Sequence, residues 1–187
     1  LRARYVPGLS RMELLASFCL TEPGSGSDAA SISTTGVLDT SSDEYVITGS
    51  KCFISGAGSS DVLLVMFRSS PEALSCAIVP RDTAGVTFGA NEKKMGWKTQ
   101  PTRQVHFDHV RVPRTNLVGK EGQGFKIAMV GLDGARLSIA ACSLGAGADA
   151  LQRTVAFVRE VNASATVARG IAHSPASVLS MFCTYRG

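Results

Sequence analysis

The stretch "YVITGSKCFIS", residues 45–55, is rich in β-branched and aromatic residues and is bounded by turn-forming clusters. Its neighbours repeat the pattern. "DVLLVMF", "LSCAIVP", "GVTFG" and "QVHFDHVRVP" are further short β-rich runs, separated by "DTSSDE", "SGAGSS", "RSSPEA" and "PRDTA". No helical pattern of crossover length lies between these runs. The region up to about Pro113 is therefore expected to form an antiparallel barrel or sandwich and not a βαβ sheet.

The flanks have a different period. "RMELLASFCL", residues 11–20, has helical spacing and stops at a glycine-rich loop. Beyond "GKEGQGF", Phe125, Ala128, Met129 and Leu132 recur at helical spacing, and Leu137, Ala140, Ala141, Leu144, Ala148 and Leu151 continue the stripe. Gly131 and Gly134 are expected to break this region into two helices, the alternative being glycine used for close helix packing. Such an Ala- and Gly-rich surface suits a helix buried against others. After Glu160 the period fails, so residues 161–187 are expected to be a divergent or disordered tail, with a short amphipathic helix around Val178 to Phe182 as an option. The expected fold class is α+β, an antiparallel barrel or sandwich followed by helices.

A chain of 187 residues with 44% hydrophobic and 18% charged residues is long enough for one large globular domain. Its net charge of +4 comes from scattered Lys and Arg, without the basic arm or helix that nucleic-acid binding would call for. The five cysteines, Cys19, Cys52, Cys76, Cys142 and Cys183, are far apart and form no C-x-x-C pair; buried thiols are expected, with neither a disulfide framework nor a zinc site. No uninterrupted apolar run reaches membrane-spanning length. The chain opens on "LRARYVPG" without an initiator Met, and a fragment is expected.

Four stretches carry chemistry. In "TEPGSGSD", residues 21–28, Pro23 presets one turn dihedral and Gly24 and Gly26 permit positive φ. Bare N–H groups and the hydroxyls of Thr21, Ser25 and Ser27 can cradle a phosphate or a polar ring edge, or the stretch is an ordinary turn. It lacks the G-K-[ST] of a P-loop and is not a G-x-G-x-x-G turn. "FISGAG" ends a strand with Phe53, which either stacks on a ring or closes a barrel rim. "LDGAR" spaces Asp133 and Arg136 three apart, as a substrate clamp or an intrahelical salt bridge. In "HFDH", His106 and His109 are expected on opposite faces of a strand, with only His106 and Asp108 sharing one, so no metal site is assigned. Trp97 packs a loop or lines a site, and Lys93 and Lys94 form a solvated patch. Ser27 lacks the G-x-S-x-G elbow of a serine nucleophile.

Taken together, "FCLTEPGSGSD", "KCFISGAG", "KKMGWKTQPTR", "VPRTNLVGKEGQGF" and "GLDGARLSIAACSLGAGADAL" resemble, in order, segments of the acyl-CoA dehydrogenase family, over about residues 1–160. The branched short-chain, isobutyryl-CoA type is the nearest resemblance. It implies residues 1–18 as the end of an N-terminal helical domain, 19–120 as the middle β-barrel and 121–160 as the start of a C-terminal helical domain. It further implies FAD held by Phe18, Cys19, Leu20, Thr21, Glu22, Pro23, Gly24, Ser25, Gly26 and Ser27, and by Phe53, Ile54 and Ser55. Ser27, Asp133 and Arg136 would contact an acyl-CoA substrate. The implied reaction is α,β-dehydrogenation of a short or branched acyl-CoA to the enoyl-CoA, with electrons passed to an electron-transferring flavoprotein.

The resemblance also implies a homo-tetrameric parent, with a mitochondrial matrix location, or a cytoplasmic one in a prokaryote. The pattern departs after "FVRE", where "VNASATVARG" replaces the family's continuation, and no residue matches the position of the catalytic glutamate. Glu22 and Glu121 are elsewhere, so no catalytic residue is assigned and the isolated chain is expected to be inactive. A non-catalytic β-barrel module that binds a partner, and a related acyl-CoA oxidase or nitroalkane oxidase, are the competing readings.

Overall fold

The computed structural model describes residues 1–160. Its element order is α1 (Arg2–Ser10), β1 (Ala16–Cys19), β2 (Thr35–Asp39), β3 (Glu44–Ser55), β4 (Val62–Ser70), β5 (Ala73–Pro80), β6 (Val86–Phe88), β7 (Thr102–Pro113), a 3-10 turn (Arg114–Asn116) and α2 (Gly124–Glu160). The expected strands are all present. Two differences stand out on the N-terminal side. Residues 11–20 are not a helix: the helix lies upstream, and Ala16–Cys19 is a strand paired in parallel with Val62–Val65. Apolar spacing in this short stretch fits either period, and a place beside the central strand decides it. β2 was not anticipated, because the only buried residue of its five is Gly36, which has no side chain to mark an apolar alternation.

The seven strands form one sheet in the order β1-β4-β2-β3-β7-β6, with β5 on the other side of β4. Pairing is mostly antiparallel, but β1 and β2 both run parallel to β4, so the sheet is mixed. β4 explains its own unbroken apolar run. Leu63, Val65 and Phe67 enter a core with Tyr45, Ile47, Ile54, Val105, Phe107, Val110 and Val112. Met66 and Leu64 face the opposite way, into a second core with Leu20, Ile32, Leu74, Cys76 and Ala128. A strand buried on both faces has no polar side, so it loses alternation.

Two bulges set the phase of the long antiparallel partners β3 and β7. In β7 one extra residue lies between the pairs Ile47↔Val110 and Gly49↔Phe107, and His109 there has φ 50°. The core-facing series 105, 107 therefore resumes at 110 and 112, and both Asp108 and His109 turn to solvent. The expectation that His106 and His109 lie on opposite faces fails for this reason. His106 is half-buried, 2.9 Å from the Ser50 hydroxyl, whereas His109 pairs with Asp108 at 2.6 Å. In β3 the extra residue lies between Lys51↔Val105 and Ile54↔Arg103, with Phe53 at φ 57°. Among the described residues no group of three or more His, Cys, Asp or Glu is arranged to hold a metal.

Residues 1–132 form one compact unit, and the remainder of α2 belongs to a second. α2 is one continuous helix of 37 residues, not two. Gly131 lies 3.7 Å from the Phe18 ring, measured from where its Cβ would be, which is the close-packing use of glycine; a helix this long tolerates the propensity cost of about 1 kcal/mol. An 18-residue window within Gly124–Arg159 has a mean hydropathy of 1.4, so by length and composition this helix is apolar enough to cross a membrane although no uninterrupted apolar run in the sequence is that long. Within the second unit every side chain from Asp133 to Ala150 is exposed, including Leu137, Ile139 and Leu144. The expected tail, 161–187, lies outside the described residues.

Candidate functional site

The loop after β1 is built around an acid that never reaches solvent. Glu22 and Ser25 close the turn on each other, each N–H donating to the other's carbonyl at 3.0 and 3.1 Å. The Ser25 hydroxyl donates to Asp28 O at 2.6 Å and is buried. The Glu22 carboxylate points inward. Its Oε2 accepts from the Ser33 N–H at 2.6 Å and the Ser33 hydroxyl at 2.7 Å, and its Oε1 accepts from the Thr34 N–H at 3.0 Å. Oε1 also accepts from Lys51 Nζ at 2.8 Å, in a pair whose side chains are 2% and 0% exposed. Lys51 makes a second bond, to Leu20 O at 3.1 Å.

The electrostatics follow from this crowding. Burial pushes the Glu22 carboxyl up, but the hydrogen bonds from Lys51, Thr34 and Ser33 outweigh it and hold the group at about 2. Burial pulls the Lys51 ammonium below its ordinary value against the raising effect of Glu22. The Glu22 carboxyl, held at about 2, is therefore ionised at neutral pH. Burial likewise raises the Cys19 thiol to about 12, which leaves it inert.

Of the ten loop residues expected to hold a ligand, the structure splits the set. Cys19 enters the first core and Leu20 the second, Glu22 and Ser25 are committed internally, and Phe18 packs against the second core. Thr21 is half-buried, and Pro23, Gly24, Gly26 and Ser27 are exposed. Neither Gly24 nor Gly26 has the positive φ expected of it. Their value is different: a Cβ at either position would meet nothing within 4 Å, so the bare backbone faces open space. Among the described residues, the N–H groups of Thr21, Gly24, Gly26 and Ser27 donate to none, and the Thr21 and Ser27 hydroxyls are without partners.

The second expected segment lies beside this loop. The Cys52 N–H donates to Thr21 O at 2.9 Å, and the bulge that follows swings Phe53 outward, 66% exposed, while Ile54 enters the core. Ser55 is exposed, and its carbonyl accepts from the buried Ser17 hydroxyl at 2.7 Å. Thus the loop and Phe53 share one border, whereas Ile54 and the Cys19 and Leu20 side chains face the interior.

Asp133 and Arg136 form an ion pair at 2.9 Å on the surface of α2 and are described with the second unit. The residues that sequence reading missed are Lys51, Ser33 and Thr34. A signal existed for Lys51: it continues the inward series Tyr45, Ile47, Gly49, where a lysine demands a buried acid.

Comparison with known proteins bears on the same segments. Residues 17–110 match the middle domain of acyl-CoA dehydrogenases and residues 122–174 match their C-terminal domain, a match that continues past Glu160 and takes in the long apolar helix. The chain is 55% identical over 148 residues to the mitochondrial isobutyryl-CoA dehydrogenase of Dictyostelium discoideum, covering 77% of this chain and 35% of that one. It is 43% identical to an NADH-dependent acryloyl-CoA reductase of Anaerotignum propionicum, covering 83% and 41%. An acyl-CoA dehydrogenase of Bacillus anthracis, solved in complex with FAD, superposes with a TM-score of 0.65 at 41% identity, covering 67% of this chain and 22% of that one. The chain therefore spans well under half the length of these relatives. With a curled mixed sheet, a glycine-rich loop tied to an exposed phenylalanine, and both domain matches in order, the chain belongs to the acyl-CoA dehydrogenase family.

Proposed function

We propose that this chain carries the FAD-binding part of an acyl-CoA dehydrogenase, an oxidoreductase acting on the Cα–Cβ bond of short or branched acyl-CoA thioesters. The observation that carries the reading is the border made by residues 21–27 and Phe53. Four N–H groups and two hydroxyls there lack partners among the described residues, over a backbone kept bare by Gly24 and Gly26. That donor set fits the polar edge of an isoalloxazine, and an exposed aromatic beside it fits the ring face. A flavin bound there would supply the two-electron acceptor that α,β-dehydrogenation requires.

The chain's own residues have narrower tasks. With a flavin bound, Thr21, Gly24 and Gly26 would donate to the ring edge and Phe53 would cover its face; Ser27 would contact an acyl-CoA substrate, and so, on α2, would Asp133 and Arg136. Phe18, Cys19, Leu20, Pro23 and Ser25 shape the loop, and Ile54 and Ser55 set the strand that carries Phe53. Glu22 is not a proton acceptor for the substrate, since every hydrogen bond it makes is internal and its carboxyl is held at about 2. Glu121 lies in the turn before α2 and is not assigned that role either. The short, branched acyl preference rests on the likeness to isobutyryl-CoA dehydrogenase. An electron-transferring flavoprotein as acceptor, a homo-tetrameric parent and a mitochondrial matrix setting are proposed on the same ground.

Titration of the 187-residue chain with FAD, followed by quenching of flavin fluorescence, tests the central claim. Saturable one-to-one uptake is expected. A folded, colourless chain that leaves FAD fluorescence untouched would favour the non-catalytic module.

A further inference from the structure

The Glu22–Lys51 pair is costly to build, since both side chains are almost wholly withdrawn from water. Taking two charges fully out of water costs several kcal/mol per ion before their attraction is counted, and neutral side chains of similar size at both positions would fill the space without that cost. Three chain segments converge on the pair: residues 20–22 through Leu20 O and the carboxylate itself, residues 33–34 through their N–H groups, and β3 through Lys51. The next residue, Cys52, holds Thr21 O, and the one after it is Phe53 in its bulge. Lysine 51 is thus the point from which the loop and the phenylalanine are both hung.

The loop has little else to hold it. Pro23, Gly24, Gly26, Ser27 and Asp28 are exposed, so they contribute no core contacts. Its hydrogen bonds outward to the sheet run through Thr21 O, Leu20 O and the Glu22 carboxylate. Glycine-rich backbone loses the most conformational freedom on ordering, so a loop of this composition needs a strong tie to stay in one conformation.

We propose that Lys51 is the positioning residue of this site, acting through Glu22 and Leu20 O to hold residues 21–27 and Phe53 in a single ligand-ready arrangement. It touches no ligand. The proposal rests on the flavin reading for the identity of the ligand, and on the internal geometry alone for the hold on the loop.

The double variant Glu22→Gln/Lys51→Met separates positioning from mere stability, because it removes both charges together and leaves no uncompensated ion. It is compared with the native 187-residue chain by amide hydrogen exchange, with and without FAD, and by FAD titration. Glu22→Asp, which keeps both charges and shortens the reach, is measured alongside and supplies the same comparison if the double variant does not fold. In either folded variant, exchange of the amides of residues 21–28 is expected to rise about tenfold or more while β4 and β5 keep native protection. FAD affinity is expected to fall about tenfold or more, with loss of the induced circular dichroism of the bound flavin. Loop exchange within about twofold of native in the folded variants would overturn the proposal. If the native chain takes up no FAD, the flavin reading falls, and the exchange comparison still decides whether the pair holds the loop.

Discussion

Two ion pairs of nearly equal length occupy opposite ends of the range of environments in this protein. Lys51 and Glu22 meet at 2.8 Å with side chains 0% and 2% exposed; Arg136 and Asp133 meet at 2.9 Å with side chains 70% and 74% exposed. Distance alone would rank them as equals. In the buried pair both ions are stripped of water, so each depends on the other and on the N–H groups of Ser33 and Thr34. In the exposed pair, water and salt replace either partner at little cost. The difference assigns the first to architecture and leaves the second free for a ligand.

The largest expected effect breaks the first pair on one side only. Lys51→Met leaves the Glu22 carboxylate buried without its counterion, which costs about 3–5 kcal/mol. Denaturant unfolding followed by circular dichroism is expected to show a midpoint far below that of the native chain, or no folded baseline. A midpoint equal to the native one would put the two pairs in the same class.

Acid is the second way to break it. The Glu22 carboxyl is held at about 2 in the folded chain, against an ordinary value of 4.5. A depressed folded value means that its stabilisation is complete above about pH 4.5 and is lost as pH falls toward about 2, a contribution on the order of 3 kcal/mol. A stability profile from pH 7 to pH 2 should therefore fall in that window. In Glu22→Gln/Lys51→Met the fall should be shallower, and an unchanged slope would move the acid sensitivity to another carboxyl.

The same comparison shows what could be read from residue order. β3 to β7 were legible because each is a compact β-rich run between turn clusters, and the loop was legible because Pro23, Gly24 and Gly26 concentrate turn chemistry after an apolar stretch. β1 was not, since four residues cannot display a period and its identity comes from pairing with Val62–Val65. The bulges at Phe53 and His109 were hidden for a related reason: one extra residue reverses which face every later side chain takes, and no local signal marks it. Lys51 and Glu22 lie far apart in sequence, so their meeting depends on tertiary structure. Asp133 and Arg136, one helical turn apart, were legible as a pair from spacing alone.

Phe53 gives a smaller effect with opposite signs in two measurements. It holds φ 57° with its ring 66% exposed, so backbone strain is set against little burial. Phe53→Gly should relieve that strain and leave the fold about as stable as native or up to about 1 kcal/mol more so. Flavin affinity should fall by about 1 kcal/mol, roughly fivefold, through loss of the stacking face. Thermal unfolding and FAD titration of the same preparation read both. A variant that loses stability and keeps its flavin would assign Phe53 to the rim of the sheet instead.

The smallest stability effect belongs to the exposed pair. Asp133→Asn removes a carboxylate that water already solvates, and its contact with Arg136 is one turn of a helix otherwise held by its own backbone bonds. The expected loss is below about 0.5 kcal/mol, and it should shrink further in high salt, where surface charges are screened. Helicity by circular dichroism should be unchanged. Binding of a CoA thioester, measured by calorimetry, is where the substitution should register, with a loss of about tenfold if the pair serves the substrate. A stability loss above about 1 kcal/mol with unchanged thioester binding would reverse the assignment, because an exposed pair that matters so much to folding must be doing the work of a buried one.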